Sequence, residues 1–463
     1  MFFKYQIEAF LFIIFLSGLT PFSKDIEFVA FVYLLTSVYA FYFFSIEKKI
    51  LIFRNLKLIF VFITYIFIQN LYMPEWAIKF ISPSSHQIYK GLFDSNFFSI
   101  SLNPLQGYKY FIIILTCLLI ILITPKLIDQ KRKLKKTLEI ILWVGVLHSI
   151  IALGLYFLDN NFFKGLISLV RDTSSSFSGL FINRNNFSLY MVLFFIIAVN
   201  YYSFYYKYFS KIKKDKIFNF MLSDLFLIRA IIILFAITII LTKSRAGNFS
   251  FLMVLGFLFI SDFIKHKKLS FISLTVLSIF IIDILFVGVF IGFEKIVERY
   301  AVTTILTEAS RLSFFDFGLI QFVKFWITGY GLGSFETIFR IEYNNFINVA
   351  DHVHNDFIEY AGELGLIGLI LLFFIFLKYL SLLRSNYLND KLLSDIFNIV
   401  LLTLVAVVLH GNLDFALHKP AIIFFVIFNL SLGLCQISRK VKTTSRSHSQ
   451  IRSQARYLHH DTL

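Results

Sequence analysis

YKYFIIILTCLLIILITPKLIDQKRKLKK, residues 108–136, decides how the rest of the chain is read. From Tyr108 to Pro125 it is almost wholly apolar. That approaches the ~20 residues a helix rising ~1.5 Å per residue needs to cross ~30 Å of hydrocarbon. Six basic residues then fall within positions 126–136: Lys126, Lys131, Arg132, Lys133, Lys135 and Lys136. A short, strongly basic loop after an apolar run marks a cytoplasmic helix end, because cytoplasmic loops carry the excess of Lys and Arg.

Worked outward, the same alternation predicts twelve spans, near 5–22, 26–46, 51–70, 108–125, 138–158, 186–206, 225–242, 248–264, 269–292, 357–377, 396–415 and 420–437. With the N-terminus in the cytoplasm, the cytoplasmic segments are the start, 47–57, 126–136, 207–229, 265–268, 378–391 and the tail from Arg439. They hold 29 of the 44 Lys and Arg residues, and the outer segments, which are far longer, hold the rest. The even count returns the C-terminus to the cytoplasm. The expected fold is therefore an all-α polytopic membrane protein with about 12 transmembrane helices. Residues 1–438 form a single transmembrane helical domain, and 439–463 a basic cytoplasmic tail of disordered composition. Two outer loops are long, 71–107 and 293–356. The second lies between spans nine and ten and is expected to carry short surface helices. Within it Leu312, Phe315, Leu319 and Phe322 recur at helical spacing, as in a helix lying on the membrane surface or packed on the bundle.

Composition excludes other classes. Apolar residues make up 58% and charged residues 16%, with a mean hydropathy of +0.77. A soluble domain carries roughly 25% charged residues, so lipid is the natural solvent. The net charge of +16 sits in short clusters between apolar runs, with no nucleic-acid module. Cys117 and Cys435 both lie in apolar runs, giving neither a disulfide framework nor zinc spacing. No small-residue cleavage site follows the first apolar run, so it reads as an uncleaved span.

Polar residues gather in four segments that this topology places on one outer face. The first is Gly179-Leu-Phe-Ile-Asn183-Arg184-Asn185-Asn186. The second is Thr242-Lys243-Ser244-Arg245-Ala246-Gly247. The third runs from Arg311 through Gly329-Tyr-Gly331-Leu-Gly333-Ser334-Phe335 to His352-Val-His354-Asn355-Asp356, Glu359 and Glu363-Leu-Gly365-Leu-Ile-Gly368. The fourth is His410-Gly-Asn412-Leu-Asp414, with His418 and Pro420. An Arg at the membrane boundary is costly unless it snorkels or meets an anion. Three cationic segments on one face point to a phosphorylated ligand, which Arg binds in planar, bidentate fashion. A His beside them can take a proton at neutral pH.

Blander readings stand beside these. Arg184 could mark a span end, Arg311 could decorate a surface helix, and His354 could be an interfacial histidine. His352 and His354 alternate in an extended segment, so they are expected to face opposite ways, with one of them catalytic. Asp351 and Asp356 are at no diagnostic metal spacing. The three glycines at 329, 331 and 333 are no dinucleotide fingerprint and read as a flexible bend over the membrane surface. Asp283 in the ninth span and Glu8 in the first are isolated acids and weak proton-path candidates.

In order and wording together the four segments resemble the O-antigen ligase and polymerase superfamily, over roughly 175–435. The stretch from His354-Asn355 to Gly365-Leu-Ile-Gly368 is the most specific part. The resemblance implies a twelve-span enzyme with a large outer loop between spans nine and ten. Such an enzyme transfers a glycan from undecaprenyl diphosphate to an acceptor, lipid A–core for ligases or another lipid-linked glycan for polymerases. It implies no cofactor, no required metal and no nucleic acid, only the lipid bilayer and the two glycan substrates. Location is the inner membrane, with the site periplasmic. Carried over by position, Arg245 and Arg311 would hold the diphosphate, and His354 would deprotonate or orient the acceptor hydroxyl. Arg184, Asn185, Lys243, Asn355, His410 and Asp414 would line the substrate site. Arg184 stands one place from where the motif's cationic contact is expected.

Three alternatives stay open at this point. One is a repeat-unit polymerase of the same superfamily. Another is a transporter or flippase, which predicts polar residues at mid-membrane depth. The third is a cell-wall polymerase of the shape, elongation and division type, with about ten spans and an essential Asp, for which Asp351 is available.

Overall fold

The computed structural model describes residues 5–19, 25–47, 56–157, 177–208, 224–267, 278, 281, 304–343, 350–389 and 394–436. Fifteen α-helices and one pair of two-residue strands account for them. The helices are α1 (Gln6–Leu16), α2 (Ile26–Glu47), α3 (Lys57–Gln69), α4 (Glu75–Ile81), α5 (Pro83–Leu92), α6 (Pro104–Leu127), α7 (Lys131–Phe157) and α8 (Arg184–Tyr208). They continue as α9 (Asp224–Leu241), α10 (Arg245–His266), α11 (Thr304–Lys324), α12 (Phe335–Glu342), α13 (Asp356–Asn389), α14 (Ser394–Gly411) and α15 (Pro420–Leu432). The chain is an all-α polytopic membrane protein. Six helices are long and apolar enough to cross a bilayer: 26–46, 104–127, 131–157, 184–208, 224–241 and 356–386. Five more expected spans coincide with the apolar helices α1, α3, α10, α14 and α15. The expected ninth span, 269–292, lies outside the described residues, as does Asp283.

Helix α8 is the axis of the bundle. Phe187 and every residue from Leu189 to Ala198 are fully buried, because α7, α9, α10, α14 and α15 pack around it. An all-round apolar sequence suits that central place. The peripheral helices show the converse: Phe41, Leu34, Phe373 and Ile264 are exposed apolar side chains, the surface that lipid covers in a membrane protein.

Contacts between distant segments sort the helix ends into two groups. Glu8 pairs with Lys136, Tyr205 donates to Asp224, and Lys207 approaches Asp395. The first joins the starts of α1 and α7, the other two join the end of α8 to the starts of α9 and α14, and Tyr201 O–H donating to Glu139 links α7 to α8, all at the basic end of the bundle. Glu8 is thus paired, not isolated. At the other end, Tyr110 meets His418, Asn185 meets Asp414, and Gln69 meets Thr328. All four polar segments picked out in the sequence lie at this second end.

Among the described residues between α10 and α13 are one long helix, α11, and one short one, α12. α11 packs the face carrying Phe314, Phe317 and Gln321 inward, against Phe335, Phe339 and Val353. Leu312, Leu319, Ile320 and Val323 form its exposed face. Of the stripe expected from the sequence, Leu312 and Leu319 lie on that face, while Phe315 and Phe322 are half-buried.

The glycine run is no flexible bend. Gly329, Gly331 and Gly333 all have positive φ, and so does Gly365, which breaks α13 with φ 61° and ψ −175°. The break frees carbonyls at 362–364. Tyr330 N–H donates to Gly362 O, and Gly331 N–H to Glu363 O. Gln69 Nε2 also donates to Glu363 O, and Tyr65 O–H to Leu364 O. Every buried backbone group needs such a partner. The run is a rigid clamp on a kinked helix, and the kink turns the first turns of α13 toward the polar cluster.

Candidate functional site

Each motif has a local structural reason. In Thr242–Gly247, Thr242 closes the last turn of α9 on Ile239 O, and Lys243 takes a left-handed conformation with φ 51°. Ser244 caps α10 by accepting from Gly247 N–H at 3.0 Å. Gly247 is required because a Cβ there would collide with Ser188 Oγ in the first turns of α8. The starts of α8 and α10 are thereby pressed together. Arg184 is the first residue of α8 and Arg245 the first of α10, both half-buried, and neither helix has an acid in its first turn. A cation at the positive end of a helix dipole is unfavourable on its own. Two such ends side by side, each led by Arg, concentrate positive potential in one corner.

The Asn-rich segment extends this corner. Asn183 Oδ1 accepts from Asn185 N–H at 2.8 Å, and Asn185 Nδ2 donates to Asp414. Asp414 is fully buried; it also accepts from Phe415 N–H at 2.9 Å and meets His354 Nδ1 at 3.1 Å. Burial pushes its carboxyl up, but the hydrogen bond and charge of His354, with His410 and the Phe415 amide, outweigh that and hold it below the usual carboxylate range. His354 is about a quarter exposed and has φ 61°, an uncommon conformation for a non-glycine residue. The pair is thus a buried carboxylate fixing one nitrogen of a half-open imidazole.

That left-handed turn also breaks the expected alternation of the two histidines. His352 stacks on Phe415 at 4.1 Å between centroids, and His354 meets the same ring edge-on at 4.9 Å. Both rings therefore share one neighbourhood, parted by Phe415.

Asn355 acts at the helix start. Its Oδ1 accepts from Phe357 and Ile358 N–H, and its Nδ2 donates to Asn412 O. His410 is fully buried, so neither residue offers an open contact surface. Arg311 is half-buried on α11, two turns before Gly318, which lies against Val353 and Ile358. Two turns of helix rise about 10 Å.

Sequence reasoning missed a second cluster behind Phe415. His352 Nδ1 bonds Glu359 Oε1 at 2.7 Å, and Val353 N–H donates to Glu359 Oε2 at 2.8 Å. His418 Nδ1 bonds Tyr110 O–H at 2.7 Å, stacks on Tyr360, and has Nε2 3.4 Å from Glu359 and 3.5 Å from Asp356. Burial pushes the His352 imidazole down to about 3 and the His418 imidazole well below its ordinary value, so both rings are neutral at pH 7. The ligand atoms of His352, Glu359 and His418 lie within 4.8 Å of one another, the grouping among the described residues best suited to a metal ion. Internal bonds already occupy both oxygens of Glu359 and Nδ1 of each histidine. The sequence signals were His418 after the fourth motif and Glu359 in the third. Tyr110, 308 residues from the His418 it bonds, gave none.

The fold and this corner define a class: a multi-pass, all-α membrane protein with two Arg-led helix starts beside a histidine–aspartate pair. Residues 230–373, about a third of the chain, match the family model described as O-antigen ligase. The matched stretch holds Lys243, Arg245, Arg311, His354 and Asn355, while Arg184, Asn185, His410 and Asp414 lie outside it. No curated protein matches the chain significantly.

Proposed function

We propose that the protein is a metal-independent glycosyltransferase of the bacterial inner membrane. It transfers a glycan from undecaprenyl diphosphate to an acceptor hydroxyl at the periplasmic face, in the ligation of O-antigen to lipid A–core. The observation that carries this reading is the His354–Asp414 pair beside two Arg-led helix starts. Asp414, ionised, accepts Nδ1–H from His354 and leaves Nε2 as the basic nitrogen. Nε2 takes the proton of the acceptor hydroxyl. The hydroxyl oxygen attacks the anomeric carbon, and the bond from that carbon to the diphosphate oxygen breaks. Arg245, Arg311 and the amino ends of α8 and α10 stabilise the charge growing on the leaving diphosphate. Attack opposite the leaving group inverts an α-linked donor to a β-product, which NMR of the product measures; retained α configuration refutes the single-displacement step.

Arg245→Ala is expected to raise the KM for lipid-linked donor at least tenfold and to lower kcat. Arg245→Lys should recover only part, because an ammonium lacks the guanidinium's bidentate fork. Unchanged donor kinetics in Arg245→Ala would remove Arg245 from the site. Asp414→Asn should cut turnover by one to two orders of magnitude with little change in either KM, since an amide no longer fixes the productive tautomer. Because internal bonds already occupy both oxygens of Glu359 in the His352–Glu359–His418 trio, transfer should persist in millimolar EDTA; loss restored by a divalent ion overturns metal independence. Gene deletion separates ligase from polymerase. Polymer retained on the carrier lipid with none on lipid A–core marks the ligase, and single-repeat chains mark the polymerase.

A further inference from the structure

Behind Phe415, on the His352 side, lies a cavity of about 350 Å³. Five separate segments build it. The start of α6 supplies Asn103, Gln106, Lys109 and Tyr110. The clamp and α12 supply Gly333, Phe335 and Glu336, and Asp25 lies at the start of α2. Asp351, His352 and Glu359 come from around the start of α13, and His418, Lys419 and Pro420 from the turn before α15. The walls are held by bonds that span the chain. Leu102 N–H donates to Tyr330 O, Asn103 N–H to Ser334 Oγ, and Asn103 Nδ2 to Thr337 Oγ1 at 3.0 Å. A pocket fixed this way is preformed, as small-ligand sites generally are.

Its chemistry differs from the arginine corner. The lining holds four carboxyl residues, Asp25, Glu336, Asp351 and Glu359, the last pushed up to about 8 by burial, against two lysines, Lys109 and Lys419, and two neutral histidines. A diphosphate gains nothing from an acid-rich wall and is drawn instead to the cationic starts of α8 and α10. What such a wall suits is a ligand dense in hydroxyl donors. Carboxylates and amide oxygens accept from hydroxyls, amide nitrogens and lysines donate to them, and the aromatic rings of Tyr110 and Phe335 offer apolar faces. The volume lies near the lower end of the ~300–1,000 Å³ of small-ligand clefts, suited to one or two sugar rings.

We propose that this cavity is the acceptor-glycan subsite. It receives the terminal sugar rings of the acceptor on the far side of Phe415, so that the reacting hydroxyl reaches His354 while the donor diphosphate stays on the arginine side. The assignment rests on the transferase reading above and adds to it the separation of the two substrates by charge. Phe415 is the partition, held by His352 stacking on one side, His354 at its edge and Lys419 5.1 Å from its centroid.

The test uses membranes carrying the full chain, with acceptor glycolipid extracted from cells that lack the gene and donor at saturation. Gln106→Trp, which fills the cavity, is expected to raise the KM for acceptor at least tenfold while leaving the KM for lipid-linked donor within twofold. Glu336→Ala, at an exposed position whose partner is Arg340 on the same helix, disturbs folding little and should raise acceptor KM several-fold. Free oligosaccharide released from the same acceptor should give saturation-transfer NMR signals with wild type that Gln106→Trp abolishes. Unchanged acceptor KM in both variants, or a shift in donor KM instead, overturns the assignment. His354→Ala run in parallel keeps the two readings apart. If it abolishes transfer while the cavity variants behave as wild type, only the subsite falls. If it transfers normally, the catalytic reading falls first.

Discussion

His354→Ala is expected to reduce glycan transfer by roughly 10²–10⁴-fold, the usual worth of a positioned general base, with the KM for donor little changed. The loss should exceed that of Asp414→Asn, because Asp414 acts through the imidazole it holds. The backbone complicates a simple alanine experiment. His354 sits at φ 61°, where alanine is strained by about 1–2 kcal/mol, so some loss could come from a shifted loop. His354→Asn separates the effects, since asparagine tolerates the left-handed region yet is no base. Both variants should be equally inactive at wild-type protein level, measured as lipid A–core-linked glycan per folded protein. Substantial activity in His354→Asn would show that the residue matters for its conformation alone.

Much of this fold was legible because membrane insertion leaves coarse signals: long apolar runs, and basic residues sorted to one side. The boundaries of α6 and α8 follow from those signals within a few residues, whereas α7 starts at Lys131, seven residues before the expected 138, because the helix runs on through the basic cluster. The site was legible to the extent that its parts are contiguous in sequence, as in Thr242–Gly247, where a turn, a cap and an obligatory glycine occupy six positions. Long-range pairings were not. Nothing local says that Asp414 holds His354, or that Tyr110 holds His418 from the start of α6. Alternation in an extended segment also misled, because one left-handed residue between Val353 and Asn355 rotates both histidine rings onto Phe415. The glycine run failed as a reading for the same reason. Positive φ can serve flexibility or close packing, and the choice depends on the partner, here Gly365, some three dozen residues on.

That partnership carries the second large prediction. Gly329 and Gly365 meet backbone to backbone. A Cβ on Gly329 would lie 2.7 Å from Gly365 N and nearer still to Glu363 O, and one on Gly365 would lie 2.6 Å from Ile327 O. The obstructing atoms are main chain, so they cannot swing aside as a side-chain tip could. Both residues also have positive φ, which costs an L-residue about 1–2 kcal/mol before any clash. Separating the clamp would further strand the carbonyls of Gly362 and Glu363, each buried acceptor costing about 1–3 kcal/mol when left unpaired. Together these place Gly329→Val and Gly365→Val at or beyond ~4–5 kcal/mol, the extreme of single-residue effects. Either variant should lose at least nine-tenths of its monodisperse yield by size exclusion in mild detergent. Gly256→Ala, within α10 where a Cβ meets nothing within 4 Å, should leave the yield unchanged. The activity of whatever folds discriminates further. The kink aims the start of α13, and with it Asp356, Glu359 and the His352–Asn355 segment, at the polar corner. Residual protein should therefore be slower per molecule than wild type, and wild-type turnover in a well-folded Gly365→Val would mean that the clamp is not what positions the histidine pair.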